Sequence, residues 1–214
     1  MLKRTVDLAG GLVGLALLWP VLLAIAAFIK LGSPGAVFYR GVRIGLHGRP
    51  FRIFKFRTMV VDAEKRGGSS TSDDDPRITR IGRLLRKYKL DELPQLLNVV
   101  HGEMSLVGPR PEVQHYVDMY TEEEKAILSV KPGITDWATL WNPDEGAVLA
   151  GSSDPERTYL EKIRPQKLHW QLEYVRRRSF MVDARILTQT VATIVLRRRP
   201  QAFDALHDAS QHGR

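Results

Sequence analysis

From Leu8 to Ile29 the chain carries no charged side chain, an unbroken run of 22 residues. Coiled as a helix, such a run is about 33 Å long, enough to cross a hydrocarbon core of roughly 30 Å. The segment must therefore be placed in lipid or buried in protein. Two details argue against a simple crossing. Pro20 stands near the middle, where a proline removes a hydrogen bond and kinks a helix. Both flanks are also basic: Lys3 and Arg4 precede the run, and Lys30, Arg40, Arg43, Arg49 and Arg52 follow it. Positive flanks favour the cytoplasmic side. A helix that enters, bends at Pro20 and returns to the same face satisfies both, so a re-entrant anchor over residues 1–31 is the preferred reading. The alternatives are a spanning helix, a buried core helix, or a cleaved signal peptide with Lys3-Arg4 as its n-region and Ala24-Ile25-Ala26 as its cleavage site. Continuation of the apolar run to Ile29 counts against cleavage.

The remaining length suits one domain, residues 32–199, followed by a disordered tail over 200–214. With no cysteine in 214 residues, disulfides, thiolate catalysis and cysteine-bound zinc are excluded. A net charge of +8 suits anionic partners: phosphorylated substrates, lipid headgroups or nucleic acid. The apolar N-terminus favours lipid.

Past the break at Gly32-Ser33-Pro34-Gly35, Val37–Tyr39 and Phe51–Phe56 read as a small β-hairpin. Residues 62–75 read as a mobile polar loop, with Asp75 capping a helix that begins at Pro76 in preference to Asp73-Asp74-Asp75 forming a metal site. Ile78–Tyr88 is a helix with one apolar face and an arginine-rich remainder. It suits either a core helix or an interfacial helix whose arginines meet phosphates. A second helix is expected over Asp91–Val100, with Asp91 as its N-cap and Leu93, Leu96, Leu97 and Val100 as its apolar stripe. Further helical patterns cover Met119–Ser129, Pro155–Ile163, Leu168–Arg178 and Ala184–Arg199, the last either core-packed or interfacial. Trp137 and Trp141 fall in a loop-like segment. The fold class is α+β and predominantly helical, with the hairpin as its main β element.

The chemistry concentrates at Asp91-Glu92. Adjacent residues diverge by about 100° on a helix, so the pair cannot flank a glycosidic bond in the usual facing arrangement. At a helix N-terminus the dipole would lower the pKa of a carboxylate, and an ionised Asp91 could attack phosphorus. Glu92 could hold a Mg²⁺ that neutralises a diphosphate. Arg110, between Pro109 and Pro111, offers a bidentate fork for phosphate oxygens, and Lys55 and Arg57 add positive charge. Each signal alone has a plainer reading: a surface ion pair for Asp91-Glu92, a rigid loop for Pro-Arg-Pro.

Taken together the motifs are specific. Lys3-Arg4-Thr5-Val6-Asp7, Pro20 in the apolar run, Lys55-Phe56-Arg57-Thr58-Met59, Arg77 to Arg83, Leu90-Asp91-Glu92-Leu93-Pro94-Gln95, Ser105 to Glu112 and Lys131-Pro132-Gly133-Ile134-Thr135 occur in this order. Over roughly Lys3 to Arg198 the chain resembles the bacterial sugar transferase family, the small monotopic phosphoglycosyl transferases. Without a long multi-helix region ahead of the anchor, it is similar to the minimal catalytic form. The resemblance implies transfer of a phosphosugar from a UDP-sugar to undecaprenyl phosphate with release of UMP, through a phosphosugar intermediate on Asp91. It implies Mg²⁺ linked to Glu92, Arg110 at phosphate, and a site at the cytoplasmic face of the bacterial inner membrane among phospholipids. Nucleic acid is not among the implied partners, and a homodimer is left open. Two departures stand out. Glu103 replaces a frequent aspartate, and Asp136-Trp137 replaces a frequent glycine, in a region that is a candidate for sugar or nucleotide recognition. Two rivals remain: a non-catalytic membrane-tethered module binding anionic lipid or nucleic acid, and a metal-dependent phosphodiesterase or pyrophosphatase.

Overall fold

A computed structural model describes residues 2–63 and 70–196. The expected tail, and residues 64–69 of the polar loop, lie outside the described residues. The apolar run sits inside a longer helix, α1 (Leu2–Gly32), whose helical assignment continues through Pro20. At 31 residues it is about 46 Å long. Most of its surface is apolar and exposed, with Leu12, Leu17, Trp19, Leu23 and Phe28 among the uncovered side chains.

Both ends of α1 are nevertheless fastened to the rest of the protein. Near its start, Lys3 donates to the Val107 carbonyl at 3.0 Å, and Arg4 donates to the carbonyls of Val99 and Val100. The buried Asp7 accepts from Ser105 Oγ at 2.9 Å and from the Leu106 N–H at 3.0 Å. The cationic N-terminus, read from sequence as a topology signal, is thus also an internal clamp. Near the end of α1, Ile25 and Ile29 are buried against Phe56 and Leu85.

The hairpin forms in two paired steps. β1 (Phe38–Tyr39) pairs with β4 (Lys55–Phe56), and β2 (Val42–Ile44) pairs with β3 (Pro50–Arg52), both antiparallel. α2 (Arg80–Lys87) begins later than expected. Asp75 does not cap it; that carboxylate pairs with Arg77 at 2.6 Å, and Thr79 accepts from the Gly82 N–H at 3.0 Å as the actual cap. α3 (Gln95–His101) also starts late, after a 3₁₀ turn at Leu90–Glu92. Asp91 therefore lies inside the turn and caps nothing. β5 (Ser105–Val107) precedes α4 (Gln114–Val117) and pairs in parallel with β6 (Gly133–Thr135), an element the sequence did not signal. The loop-like tryptophan segment is a helix, α5 (Trp137–Trp141), because Asp136 caps it. α6 (Glu145–Leu149) and α7 (Pro155–Thr158) follow, then a π turn at Tyr159–Ile163. α8 (Arg164–Arg177) and α9 (Phe180–Leu196) complete the described chain.

The largest core joins β5 to the C-terminal helices through Val107, Leu140, Trp141, Ile163, Tyr174 and Ile186. A smaller core of Ile53, Val99 and Met104 lies under the hairpin. Glu103 has a role there: it accepts from the buried Asn98 Nδ2 at 2.6 Å. Among the described residues, Leu84 on α2 and Phe180, Met181, Val191 and Ile194 on α9 are apolar and exposed.

Candidate active site

Lys89 takes a left-handed conformation (φ 56°), uncommon for a residue with a side chain, and turns the chain into the 3₁₀ segment that carries the dyad. There the two carboxylates enter different surroundings. Glu92 is held on both oxygens. Lys55, from β4, donates to Oε1 at 2.8 Å, while Arg110, from the loop after β5, donates to Oε2 at 2.9 Å and to Oε1 through its second terminal nitrogen. Asp91 is 7% exposed, and its buried Oδ1 has no hydrogen-bond partner among the described residues.

The electrostatics follow from that difference. Burial works to raise the pKa of Glu92, but Arg110 and Lys55 outweigh it and hold the carboxyl well below the usual range. Burial raises the pKa of Asp91, and the charge on Glu92 raises it further. Lys55, Arg86 and Lys89 pull it down without winning. The direction is opposite to the helix-end expectation of a lowered Asp91 pKa, because the residue is desolvated beside the charge of Glu92 and lies in a 3₁₀ turn ahead of α3. Burial likewise lowers the pKa of Lys55.

Lys55, Asp91, Glu92 and Arg110 converge as the motifs suggested. Arg57 turns elsewhere: its guanidinium donates to the Ser33 carbonyl, Ser33 Oγ at 2.7 Å and the Pro34 carbonyl at 2.6 Å, clamping the end of α1. For magnesium, no cluster of three or more Asp, Glu or His side chains occurs among the described residues. The orphaned Oδ1 of Asp91 fits a cation that takes one or two carboxylates and fills its remaining positions with substrate phosphate oxygens. Glu92, the residue linked to the metal by resemblance, would first have to release Lys55 or Arg110.

The arginine loop is pinned by two backbone contacts to the neighbouring strand. The Gly108 N–H donates to the Thr135 carbonyl and the Gly133 N–H to the Pro109 carbonyl, both at 3.0 Å. A Cβ on Gly133 would lie 2.0 Å from the Gly108 nitrogen, so the Gly-Pro-Arg-Pro and Pro-Gly-Ile-Thr motifs meet where only glycine fits.

A family model described as bacterial sugar transferase matches residues 1–197. The chain belongs to the bacterial sugar transferase family. Among its relatives, the UDP-N-acetylgalactosamine-undecaprenyl-phosphate N-acetylgalactosaminephosphotransferase of Aeromonas hydrophila is 36% identical over 197 residues, 91% of this chain and 44% of the relative. The UDP-glucose:undecaprenyl-phosphate glucose-1-phosphate transferase of Escherichia coli (strain K12) is 38% identical, over 89% of this chain and 39% of the relative. The uncharacterized sugar transferase EpsL of Bacillus subtilis (strain 168) is 38% identical, over 92% of this chain and 88% of its own length. This bacterial sugar transferase therefore spans under half of the first two relatives and most of the third.

Sequence reasoning about this bacterial sugar transferase missed a layer of buried polar groups behind Arg110. Lys167, on α8, pairs with Glu112 at 2.7 Å and Glu145 at 3.0 Å, and Tyr159 donates to Glu112 at 3.0 Å. Asp136 and Gln171 contact the Arg110 backbone. Only Asp136 left a signal, since Asp-x-x-Thr is an N-cap pattern.

Proposed function

We propose that the protein is a phosphoglycosyl transferase that moves a phosphosugar from a UDP-sugar to undecaprenyl phosphate and releases UMP. The observation that carries this reading is the division of the dyad. Glu92 is the counter-ion that holds Lys55 and Arg110 in place, and Asp91 is buried beside it with an oxygen that no group among the described residues satisfies. In the first step an Asp91 carboxylate oxygen bonds to the sugar-linked phosphorus. The bond from that phosphorus to the bridging oxygen breaks, and UMP departs with the electron pair. In the second step a phosphate oxygen of undecaprenyl phosphate attacks the same phosphorus and the Asp91 carboxylate leaves. A desolvated carboxylate has lost its water shell before the reaction, and Arg110 supplies donors where diphosphate charge must be held. Glu92, the residue linked to magnesium by resemblance, would hold the ion once Lys55 or Arg110 turned to the diphosphate, and the ion would neutralise that charge.

The membrane reading is that α1 lies in one leaflet as a re-entrant element with the site at the cytoplasmic face. Its support is the fastening of both helix ends to the same body, Lys3, Arg4 and Asp7 at one end and Ile25 and Ile29 at the other. The uncovered apolar groups on α2 and α9 suit the same lipid surface. The activity belongs at the start of glycoconjugate assembly, where a first sugar is placed on a lipid carrier.

The test is UMP release from a panel of UDP-sugars by detergent-purified protein with Mg²⁺, with and without undecaprenyl phosphate. Sustained release only with the lipid, abolished in Asp91→Asn, is expected, and magnesium chelation should stop it. Steady release without lipid would point to hydrolysis. Full turnover in Asp91→Asn would refute the nucleophile.

A further inference from the structure

Asp136 stands where the sequence invited a search for sugar or nucleotide recognition, yet its side chain is spent on contacts within the protein. Its side chain is wholly buried, and both oxygens already have donors. Oδ1 accepts from the Thr139 N–H at 2.7 Å and from Thr139 Oγ1 at 2.8 Å. Oδ2 accepts from the main-chain N–H of Arg110 at 3.3 Å. Pro109 and Pro111 have no N–H, so that group is the single main-chain donor of the Pro-Arg-Pro segment, and it goes to Asp136. On the other side, Gln171, equally buried on α8, donates to the Arg110 carbonyl at 3.3 Å. Two elements distant in sequence thus hold the two backbone polar groups of one arginine. The arginine side chain then reaches forward to Glu92.

We propose that Asp136 is a positioning residue that fixes the Arg110 backbone so that its guanidinium faces Glu92 and the donor diphosphate, and that it takes no part in recognising the sugar or the nucleotide. The inference rests on the reading of Arg110 as a phosphate-binding residue. Holding the peptide from behind matters because displacement of a catalytic group by about 1 Å can cost roughly 100-fold in rate.

The experiment compares Asp136→Asn, Arg110→Ala and the double variant for lipid-dependent UMP release, with each protein's melting temperature measured alongside. Asparagine keeps an N-cap acceptor for α5 but can turn an amide N–H toward the Arg110 N–H. Asp136→Ser, which keeps a capping hydroxyl and withdraws the second oxygen, replaces it if the asparagine variant does not fold. Thr139→Val, which disturbs the cap and leaves the Arg110 contact, is the structural control. In the wild-type background Asp136→Asn should lower turnover by about 10- to 100-fold, with the ratio of rates among UDP-sugars unchanged. In the Arg110→Ala background it should cost nothing further, and Thr139→Val should stay near wild type. Altered donor preference would overturn the proposal, as would an equal fold-loss in both backgrounds. Turnover that falls in Arg110→Ala but not in Asp136→Asn would overturn the positioning role alone. Wild-type turnover in Arg110→Ala would instead overturn the reading of Arg110, and the proposal with it.

Discussion

Replacing each dyad carboxylate by its amide should move stability in opposite directions, although the two residues are adjacent. Glu92→Gln leaves Lys55 and Arg110 facing a neutral group. At 2.8 Å and an effective dielectric of 20, the Lys55–Glu92 attraction alone is about 6 kcal/mol before desolvation is subtracted. Removing one partner of a buried pair typically costs roughly 3–5 kcal/mol. The side chains of Glu92, Lys55 and Arg110 are 13%, 18% and 28% exposed, so solvent reaches Arg110. Glutamine also keeps one acceptor, and about 3 kcal/mol is the expected loss. For a chain of this size that corresponds to a fall of about 6–12 °C in Tm. Asp91→Asn removes a carboxylate that the fold disfavours, so Tm should hold or rise. The pH dependence has the matching sign. The lowered pKa of Glu92 means that its contribution is complete above its unfolded value near 4.5 and is lost as pH falls through the lower folded value. The raised pKa of Asp91 means that its ionisation costs stability as pH rises through that value. Thermal melting by circular dichroism in detergent from pH 3 to 8 tests both. A Glu92→Gln shift under 2 °C at pH 7, or an Asp91→Asn fall as large as that of Glu92→Gln, would refute the reasoning.

Gly133→Ala should abolish stable folding or shift the arginine loop, because its Cβ would lie 2.0 Å from the Gly108 nitrogen and 2.5 Å from the Gly108 oxygen; expression and melting of Gly133→Ala beside Gly32→Ala, a helical site with open space, measure this. Asp7→Ala leaves the Ser105 hydroxyl and the Leu106 N–H without their acceptor and should cost about 1–3 kcal/mol, read by chemical denaturation. The cysteine-free chain permits a topology test: single cysteines at Leu2 and Gly32 should react with an impermeant maleimide from the same side of the membrane, and labelling from opposite sides would refute the re-entrant reading.

The sequence was legible where a signal is local. The 22 uncharged residues, the hairpin and the arginine-rich α2 declare themselves through composition and periodicity. Lys55, the dyad and Arg110 could be assembled because phosphate chemistry demands those residue types. The parallel pairing of β5 with β6 was invisible, since three-residue strands far apart in the chain carry no periodic pattern. The start of α3 was misplaced because Asp91 suits an N-cap in composition, whereas the left-handed Lys89 sets a 3₁₀ turn. The reversal of the Asp91 pKa could not be read locally, because it depends on which carboxylate Lys55 and Arg110 choose. The contacts of Arg57 with Ser33 and Pro34 could not be read from sequence, because its charge alone does not say that the end of α1 offers it acceptors.

The long apolar helix α1 is also a wall of the folded body. Its face at Gly10 and Gly14 packs directly on Leu106 and on Leu96 of α3, the helix that follows the dyad. A chain cut at Ser33 would lose the Asp7 acceptor, the Lys3 and Arg4 clamps and the Ile25 and Ile29 core contacts together. Removing the greasy segment therefore cannot yield a water-soluble version of the same machine. A small molecule that loosens α1 from α3 would disturb the turn that carries Asp91 and Glu92 without touching it.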